Sequence, residues 1–501
     1  MIKKTLILYF SQIYRAILPL VFIPLILSIL GTERYGMLAF YYMLVGFLGL
    51  LDAGVSGTFL KLIATNKNNY DNFKKVTILF FKVLILFSIV GLLVQLFFLV
   101  KSDLIVSSWL NTKISYNESI YAVKAIGIVL ALLYIKSYLV SFLNGMEKQE
   151  IVAIWNIVYG TIFYLGGFSV IKYIDNSLYS FFDLMKALAI LDITIIFSCI
   201  IFIYLKHSKK IQKINNIINN SDITFKKIFS FSIQLSGLSI IWVIATQIDK
   251  LVLSSFIPLA EYSKYQIAVQ LSSVVAIFSA PISQLLLPRL SRLYTDKEKN
   301  KYTALYCKAL LIFIIVLSPI GPYFFYFGEN LITLWMSNTE LGININSYAK
   351  WLVSAAFLAT TMNFIFILLY TTNQLKHHFY AYSTYSLFTI PISIYVAKNF
   401  GGLASAKFVF IHTLLFMLLW SSWQLKTKFH NLLLKVSIYF SSIILISILN
   451  FKILSFLLKR FDIEYIQVLA PPIINLLLLM FLVFLFRKRI NLALTNITFR
   501  S

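Results

Sequence analysis

The chain has 501 residues, 59% of them hydrophobic and only 13% charged, against ~45–50% apolar and ~25% charged in soluble domains. Since an apolar block of roughly 20 residues spans a bilayer, this composition describes an all-α polytopic membrane protein with no sizeable soluble domain, which excludes a soluble dehydrogenase, a kinase or a nucleic-acid enzyme. Lys and Arg total 44 against 19 Asp and Glu, a net charge of +25, a surplus that here belongs to cytoplasmic loops lying against anionic lipid rather than to a nucleic-acid partner.

Apolar runs fall at approximately 5–30, 37–64, 76–100, 119–143, 151–174, 179–205, 226–257, 262–290, 302–327, 347–371, 378–398, 402–425, 432–457 and 464–486, which predicts about 14 transmembrane helices. Runs of this length without period-two alternation are helices when lipid is the solvent. The N-terminal Lys3 and Lys4 lead into a long apolar stretch without a short h-region or a small-residue cleavage site, so the first run is read as a retained span. With the N-terminus inside, roughly 24 basic residues lie on the cytoplasmic side and about 10 outside, which places both termini in the cytoplasm. The most polar interruption, Lys206 to Lys227, separates two six-helix halves. The expected organisation is therefore a bundle over 1–206, a basic linker over 207–225, a second bundle over 226–425, and two further helices with a cytoplasmic tail over 426–501. Duplicated halves of this kind are the usual build of secondary transporters, with substrate between the repeats.

Charges inside the runs carry the functional signal, because a charged side chain at mid-bilayer costs ~2.5–3.5 kcal/mol on insertion scales. In the first run Arg15 shares a face with Ser11 and Gln12, just before Pro19 and Pro24, which suits a bent helix offering a guanidinium to an aqueous cavity. The second run holds a small-residue stripe, Gly46, Gly49, Ala53 and Gly57, that permits close helix approach; Asp52 beside it is expected to pair with a neighbouring helix's cation. Lys124 and Lys136 in the fourth run, roughly 18 Å apart along a helix, and Lys186 in the sixth add cations to the first half. Asp192 follows in the sixth run. In the seventh, Gln247 and Lys250 share a face and Asp249 points about 100° away, so the lysine is expected to face the cavity while the aspartate pairs elsewhere. The eighth carries the stripe Gln266, Gln270 and Ser273, then Pro281, Gln284, Pro288 and Arg289. Lys61, Lys82, Arg289, Lys308 and Lys407 sit near run ends, where their stems reach the headgroups. For Arg15, Lys136, Asp192, Asp249 and Lys250 two readings stay open, structural pairing within the membrane and lining a cavity.

The two cysteines, Cys199 and Cys307, are far apart in sequence, and His377 and His378 are adjacent rather than at i, i+4, so neither a disulfide framework nor a metal site is expected. There is no GxSxG, P-loop or DxD cluster, and the longest outward loops run only about 101–118 and 328–346. No catalytic residue and no cofactor is predicted.

The stretch QIDKLVLSSFIPLAEYSKYQIAVQLSSVVAIFSAPISQLLLPRLSRLY, from Gln247 to Tyr294, resembles the seventh and eighth helices of O-antigen (Wzx-type) polysaccharide flippases of the multidrug/oligosaccharidyl-lipid/polysaccharide (MOP) exporter superfamily. LLDAG at Leu50 to Gly54 and GGLASAKFVF at Gly401 to Phe410 are further points of similarity. Where family members commonly read Gly-Tyr-Tyr after the seventh helix, this chain has Glu261-Tyr262-Ser263. The two helices beyond the usual twelve are similar to the lipid II flippase arrangement. The resemblance implies a MATE/MOP-like fold. It implies movement of an undecaprenyl-pyrophosphate-linked glycan from the cytoplasmic to the periplasmic leaflet of the bacterial inner membrane by alternating access. A monomer, working beside the polymerase and chain-length proteins of the same pathway, fits that role.

The cations supply a compatible physical account. A pyrophosphate loses water on entering the membrane, and Arg or Lys in a cavity offsets that loss through charge-assisted hydrogen bonds. Arg15, Lys124, Lys136 and Lys250 are the expected substrate-binding cations, with Lys186, Arg289, Lys308, Gln247, Gln266 and Gln270 in secondary positions and Asp192 and Asp249 as candidates for ion coupling. A cation-coupled multidrug exporter of the same fold is the first alternative, although carboxylates rather than cations would suit it. A lipid II type exporter is another. An O-antigen polymerase is disfavoured by the short outer loops.

Overall fold

The structure is a computed structural model that describes residues 2–52, 54–212, 225–430, 432–458, 464–495 and 498–499. Side chains are described for most of these, but not for 2–6, 210, 225–236, 238–239, 280–281, 284, 430, 432, 464, 486–495 or 498–499. Most of the expected basic linker, 213–224, and the C-terminal cluster Arg487, Lys488 and Arg489 therefore lie outside the described residues or side chains.

The chain forms two compact units, Met1–Ser263 and Lys264–Ser501. The first holds α1 (Ile2–Asp52), α2 (Val55–Asn66), α3 (Tyr70–Leu104), α4 (Tyr116–Gly145), α5 (Gln149–Thr161), α6 (Gly167–Tyr173), α7 (Leu178–Gln212) and α8 (Phe225–Phe256), with α9 (Leu259–Ala276) running across the division. The second holds α10 (Ser279–Thr295), α11 (Lys299–Leu317), α12 (Ile320–Tyr326), α13 (Gly328–Met336), α14 (Thr339–Thr371), α15 (Leu375–Phe416), α16 (Ser422–Lys428), α17 (Leu432–Leu458) and α18 (Glu464–Thr495). A two-residue antiparallel pairing of β1 (Phe429–His430) with β2 (Thr498–Phe499) ties the chain's end to the second unit.

Ten helical stretches among the described residues are long and apolar enough to cross a membrane. Two of them are hairpins. Phe22 stacks on Tyr164 with centroids 6.0 Å apart, and the Tyr42 hydroxyl lies 3.5 Å from that of the same Tyr164. Twenty residues of straight helix would separate the two by about 30 Å, so the chain folds back between them. The break is at Gly31, whose φ of 75° and ψ of 170° lie in a region essentially reserved for glycine. It does not fall at Pro19 or Pro24, where the sequence suggested a bend, because neighbouring helices let a membrane helix tolerate proline. Gly401 (φ 72°, ψ −164°) does the same in α15, bringing Tyr385 and Phe416 to a centroid distance of 4.6 Å. The predicted runs fall on helical segments, with 226–257 on α8 and 262–290 on α9 and α10, both outside the ten, so the expected count of about 14 spans compares with ten candidate spans among the described residues.

The first unit is cored by aromatic stacking between α3 and α4. Tyr138 lies face to face with Phe80 at 4.4 Å and with Phe87 at 4.2 Å, while its hydroxyl donates to the Phe80 carbonyl at 2.9 Å. Gly127 lets Phe98 approach so closely that an added Cβ would lie 2.5 Å from the Phe98 Cβ. The expected small-residue stripe works in part: Gly46 and Gly49 seat Gln247 and Val243 of α8, whereas nothing lies within 4 Å of a Cβ at Gly57, and Ala53 is outside the described residues. This packing of α8 on α1 explains why the compact units divide after Ser263 and not at the expected 207–225 boundary. Among the described residues Asp52 has no ion pair with a cation of another helix, where such a pair was expected. It accepts from the Ser56 backbone and hydroxyl, and so caps the start of α2.

In the second unit, the Tyr302 hydroxyl shares a 2.7 Å hydrogen bond with Thr371, and the Tyr306 hydroxyl donates to the Phe364 carbonyl at 3.1 Å. Asn475 of α18 accepts from Asn450 of α17 at 2.9 Å and donates to Ser447 at 3.2 Å, a polar clasp of the kind that joins helices in lipid. Large apolar side chains such as Val100, Leu387 and Phe484 face outward, which is a penalty in water and none in a bilayer. The protein is a multi-pass membrane protein.

Candidate functional site

Charged side chains gather on the facing sides of α4, α5 and α7. Lys136 of α4 meets Asp192 of α7 with Nζ 2.6 Å from Oδ2, the two side chains being 16% and 1% exposed. Trp155 of α5 donates its indole N–H to Asp192 Oδ1 at 2.7 Å, and Tyr159, one turn further along α5, presents its ring 4.8 Å from Lys136 Nζ. One carboxylate thus holds a lysine and an indole, and one lysine holds a carboxylate and a ring face. A charge this deep is tolerated because it is paired.

Nearer the start of α4 the same two helices form a second cluster. Lys186 Nζ lies 2.6 Å from Asp183 Oδ1 and donates to the Tyr121 hydroxyl at 2.7 Å, and Tyr121 in turn donates to Asp183. At the very start, Glu118 takes Arg34 in a two-pronged grip, Nε to Oε1 at 2.9 Å and Nη2 to Oε2 at 3.3 Å. Its Oε1 also accepts from the Leu178 backbone at 2.9 Å. This links the segment just after the Gly31 break to the first turns of α4 and α7. Sequence reading missed Arg34, Glu118, Trp155 and Tyr159. The acidic residue in the first turn of α4, where a carboxylate suits the helix dipole, was the available signal for Glu118; nothing in the pattern singled out the aromatic pair.

Lys250, expected to face a cavity with Asp249 turned away from it, lies within reach of that aspartate. Its flexible stem curls so that Nζ comes 3.4 Å from Asp249 Oδ1 and donates to the Thr246 carbonyl one turn back. Gln247 beside it packs on Gly46 of α1.

Arg15 and Lys124 differ from these. Arg15 is exposed and Lys124 half-buried, and neither has a hydrogen bond or ion pair among the described residues. Ser11 and Arg15 do not share a setting: the buried Ser11 hydroxyl donates to the Ala153 carbonyl at 3.0 Å, and Tyr14 and Thr161 share a 2.7 Å hydrogen bond. These contacts fix α1 against α5 and leave Arg15 on the open side of α1. They also put Arg15 at the height of residues 153–161, the stretch of α5 that carries Trp155 and Tyr159, and therefore at the height of the Lys136–Asp192 pair.

In the second unit Gln266 is buried with its Oε1 lacking a hydrogen-bond donor among the described residues, and Gln270 is half-buried. Arg289 and Lys308 are exposed; the Gln284 side chain lies outside the described set. Among the described residues no three or more His, Cys, Asp or Glu side chains gather as metal ligands.

Comparison with known proteins agrees with this architecture. A relative from Shigella flexneri described as "Putative O-antigen transporter" is 23% identical over 324 residues, 64% of this chain and 72% of that protein. A "Capsular polysaccharide biosynthesis protein CapF" from Staphylococcus aureus is 28% identical over 191 residues, and the match spans 48% of its length. The solved structure of the lipid II flippase MurJ in an inward closed conformation superposes with a TM-score of 0.64 at 16% identity, covering 98% of this chain and 100% of that one. An inward-facing multidrug resistance MATE family transporter of the MOP superfamily gives 0.63 at 11% identity, with 91% and 96% covered. The fold is the one these transporters share. The sequence profile of the polysaccharide biosynthesis protein family matches residues 1–294, more than half of the chain, and the protein belongs to that family.

Proposed function

We propose that this chain moves an undecaprenyl-pyrophosphate-linked oligosaccharide, of the O-antigen repeat-unit kind, from the cytoplasmic to the periplasmic leaflet of the bacterial inner membrane by alternating access. It is a carrier and not an enzyme. The phosphates meet Arg15, Lys124, Lys136 and Lys250; Lys186, Gln247, Gln266, Gln270, Arg289 and Lys308 serve in secondary contacts, and Asp192 and Asp249 respond to ion movement. The observation that carries this reading is Arg15, a guanidinium without a hydrogen bond or ion pair among the described residues, at the height of a buried Lys–Asp pair. An unpaired guanidinium is a poor lipid-facing group and a good bidentate partner for phosphate. Once Lys136, Lys186, Lys250 and Arg34 are set against their carboxylates, Arg15 and Lys124 leave positive charge over, which favours an anionic passenger over a cationic drug. An interior-negative potential also drives anions outward by ~2.3 kcal/mol per charge per 100 mV, so a pyrophosphate needs no ATP to leave.

The test is deletion of the gene followed by a leaflet assay of the lipid-linked glycan. Full-length, unpolymerised repeat units should accumulate on the cytoplasmic side, and complementation by Arg15→Ala or Lys250→Ala should leave surface glycan absent while immunoblots show the protein inserted. Normal surface glycan from both variants, or a normal leaflet distribution in the deletion strain, would refute the proposal.

A further inference from the structure

At the end of the first unit where α2, α4 and α7 finish and α5 begins, a cavity of ≈ 440 Å³ is lined by Lys67, Lys148, Lys206 and His207 on one side and by Met146, Ile151, Cys199, Phe202 and Ile203 on the other. None of these residues belongs to the transport path above. Lys67 is partly committed: its Nζ lies 2.7 Å from Glu147 Oε1, while its carbonyl accepts from His207 Nε2 at 2.7 Å. Lys206 extends over the Phe202 ring, 5.9 Å from its centroid. Lys148 is half-buried and its ammonium has no hydrogen bond or ion pair among the described residues. Against the acidic neighbours Glu147 and Glu150, the three lysines leave positive charge over. The apolar wall continues onto an exposed strip of α7, where Phe202 is 65% exposed beside Leu205 at 51%.

We infer that this cavity binds the phosphate of an anionic phospholipid, with an acyl chain lying along Cys199, Phe202 and Ile203. The size suits a small-molecule site. A free anion would have no use for the apolar wall and a neutral lipid none for the lysines, while basic pockets between transmembrane helices on the cytoplasmic side are the usual seats of anionic headgroups. That side is the one the Lys and Arg distribution assigns to this end of the unit. The bound lipid would bridge the ends of α2, α4, α5 and α7, outside the path of the glycan.

Cys199 supplies a reporter, since it lines the cavity and the other cysteine, Cys307, is buried. The full-length protein is purified in mild detergent, supplied with phosphatidylglycerol or phosphatidylcholine, and the rate of Cys199 alkylation by a small maleimide is followed by peptide mass spectrometry. Phosphatidylglycerol should slow alkylation several-fold and phosphatidylcholine should not. In Lys148→Ala/Lys206→Ala the concentration of phosphatidylglycerol needed for protection should rise roughly 30-fold, whereas Lys74→Ala/Lys75→Ala, with equal charge loss on the same side, should protect like wild type. Equal protection by both lipids would overturn the inference, as would an equal shift in the Lys74/Lys75 control. Protection by inorganic phosphate alone at the same concentration would mark a soluble-anion site and overturn it too. The comparison of lipids uses wild-type protein and stands even if the double variant fails to fold. A surface-glycan defect plays no part in the readout, so this result and the transport result fail separately.

Discussion

The Lys136–Asp192 pair separates a structural role from a transport role in one set of variants. At 2.6 Å and an effective dielectric of about 20, the Coulomb attraction is about 6 kcal/mol. Most of that is offset by desolvation, and removing one partner alone typically costs ~3–5 kcal/mol because the other charge is left buried. Asp192→Asn should therefore destabilise the protein by about that amount while keeping an oxygen for Trp155; Asp192→Ala should cost ~1 kcal/mol more through the lost indole bond. Lys136→Met/Asp192→Leu removes both charges and should recover stability to within about 1 kcal/mol of wild type. Thermal unfolding in detergent, read by tryptophan fluorescence, checks the ranking. Surface glycan in the deletion strain checks function: if Lys136 meets phosphate as proposed, the double variant should be stable and inactive. A double variant that restores both stability and glycan would show that Lys136 is a packing device and remove it from the site.

Helix packing and the end clasp give two further tests. Gly127→Ala puts a Cβ 2.5 Å from the Phe98 Cβ, atoms fixed to both backbones, so it should cost ~1–3 kcal/mol and lower the melting temperature; Gly57→Ala, with nothing within 4 Å, should be neutral or slightly stabilising, and equal effects would contradict the packing described. Glu118→Gln breaks the two-pronged grip on Arg34 while leaving an acceptor for the Leu178 N–H. A loss of ~1–3 kcal/mol is expected, together with faster proteolysis of the connection around Gly31, and unchanged proteolysis would count against a clasp.

The helices were legible in the sequence because lipid forces every long apolar run into one, and the positions of Gly31 and Gly401 account for two turns that hydropathy alone draws as short gaps. What hydropathy does not encode is which face of each helix is inward. In water a helix declares its buried face through 3.6-residue periodicity; in lipid both faces are apolar, as Ile85 and Leu93 on the outside of α3 and Phe80 and Phe87 on its inside illustrate. Individual charges were thus visible while their partners were not. Lys136 and Asp192 were both singled out, yet as cation and coupling acid rather than as one pair, because 56 positions of chain separate helices whose rotation the sequence leaves open. The contact between Asp249 and Lys250 was hidden for a different reason. Ideal helix angles place neighbouring Cα–Cβ vectors apart, but a four-carbon stem spans the difference.

The pairing of deep lysines with carboxylates also bears on how a flippase for anions stays intact while empty. A path lined by bare ammonium groups would bear the full cost of buried charge in every idle cycle, and a phosphate bound to such groups would be held too tightly to leave. If the resting partner of Lys136 is Asp192, an arriving phosphate replaces one anion with another, and only the difference between two charge-assisted contacts appears in the affinity. Exchange of this kind keeps binding weak enough for release on the far side. On the proposed reading Arg15, without such a partner among the described residues, would provide the first attraction, and the Trp155 indole N–H that fixes Asp192 would retain the displaced carboxylate near enough to reclaim Lys136 once the passenger has gone. Asp192→Asn is the discriminating change, since on this view it leaves Lys136 permanently available. The variant protein, though less stable, should retain the lipid-linked glycan more tightly in detergent and turn over more slowly. Weaker retention than wild type would mean that Asp192 orders the site rather than competing with the substrate for it.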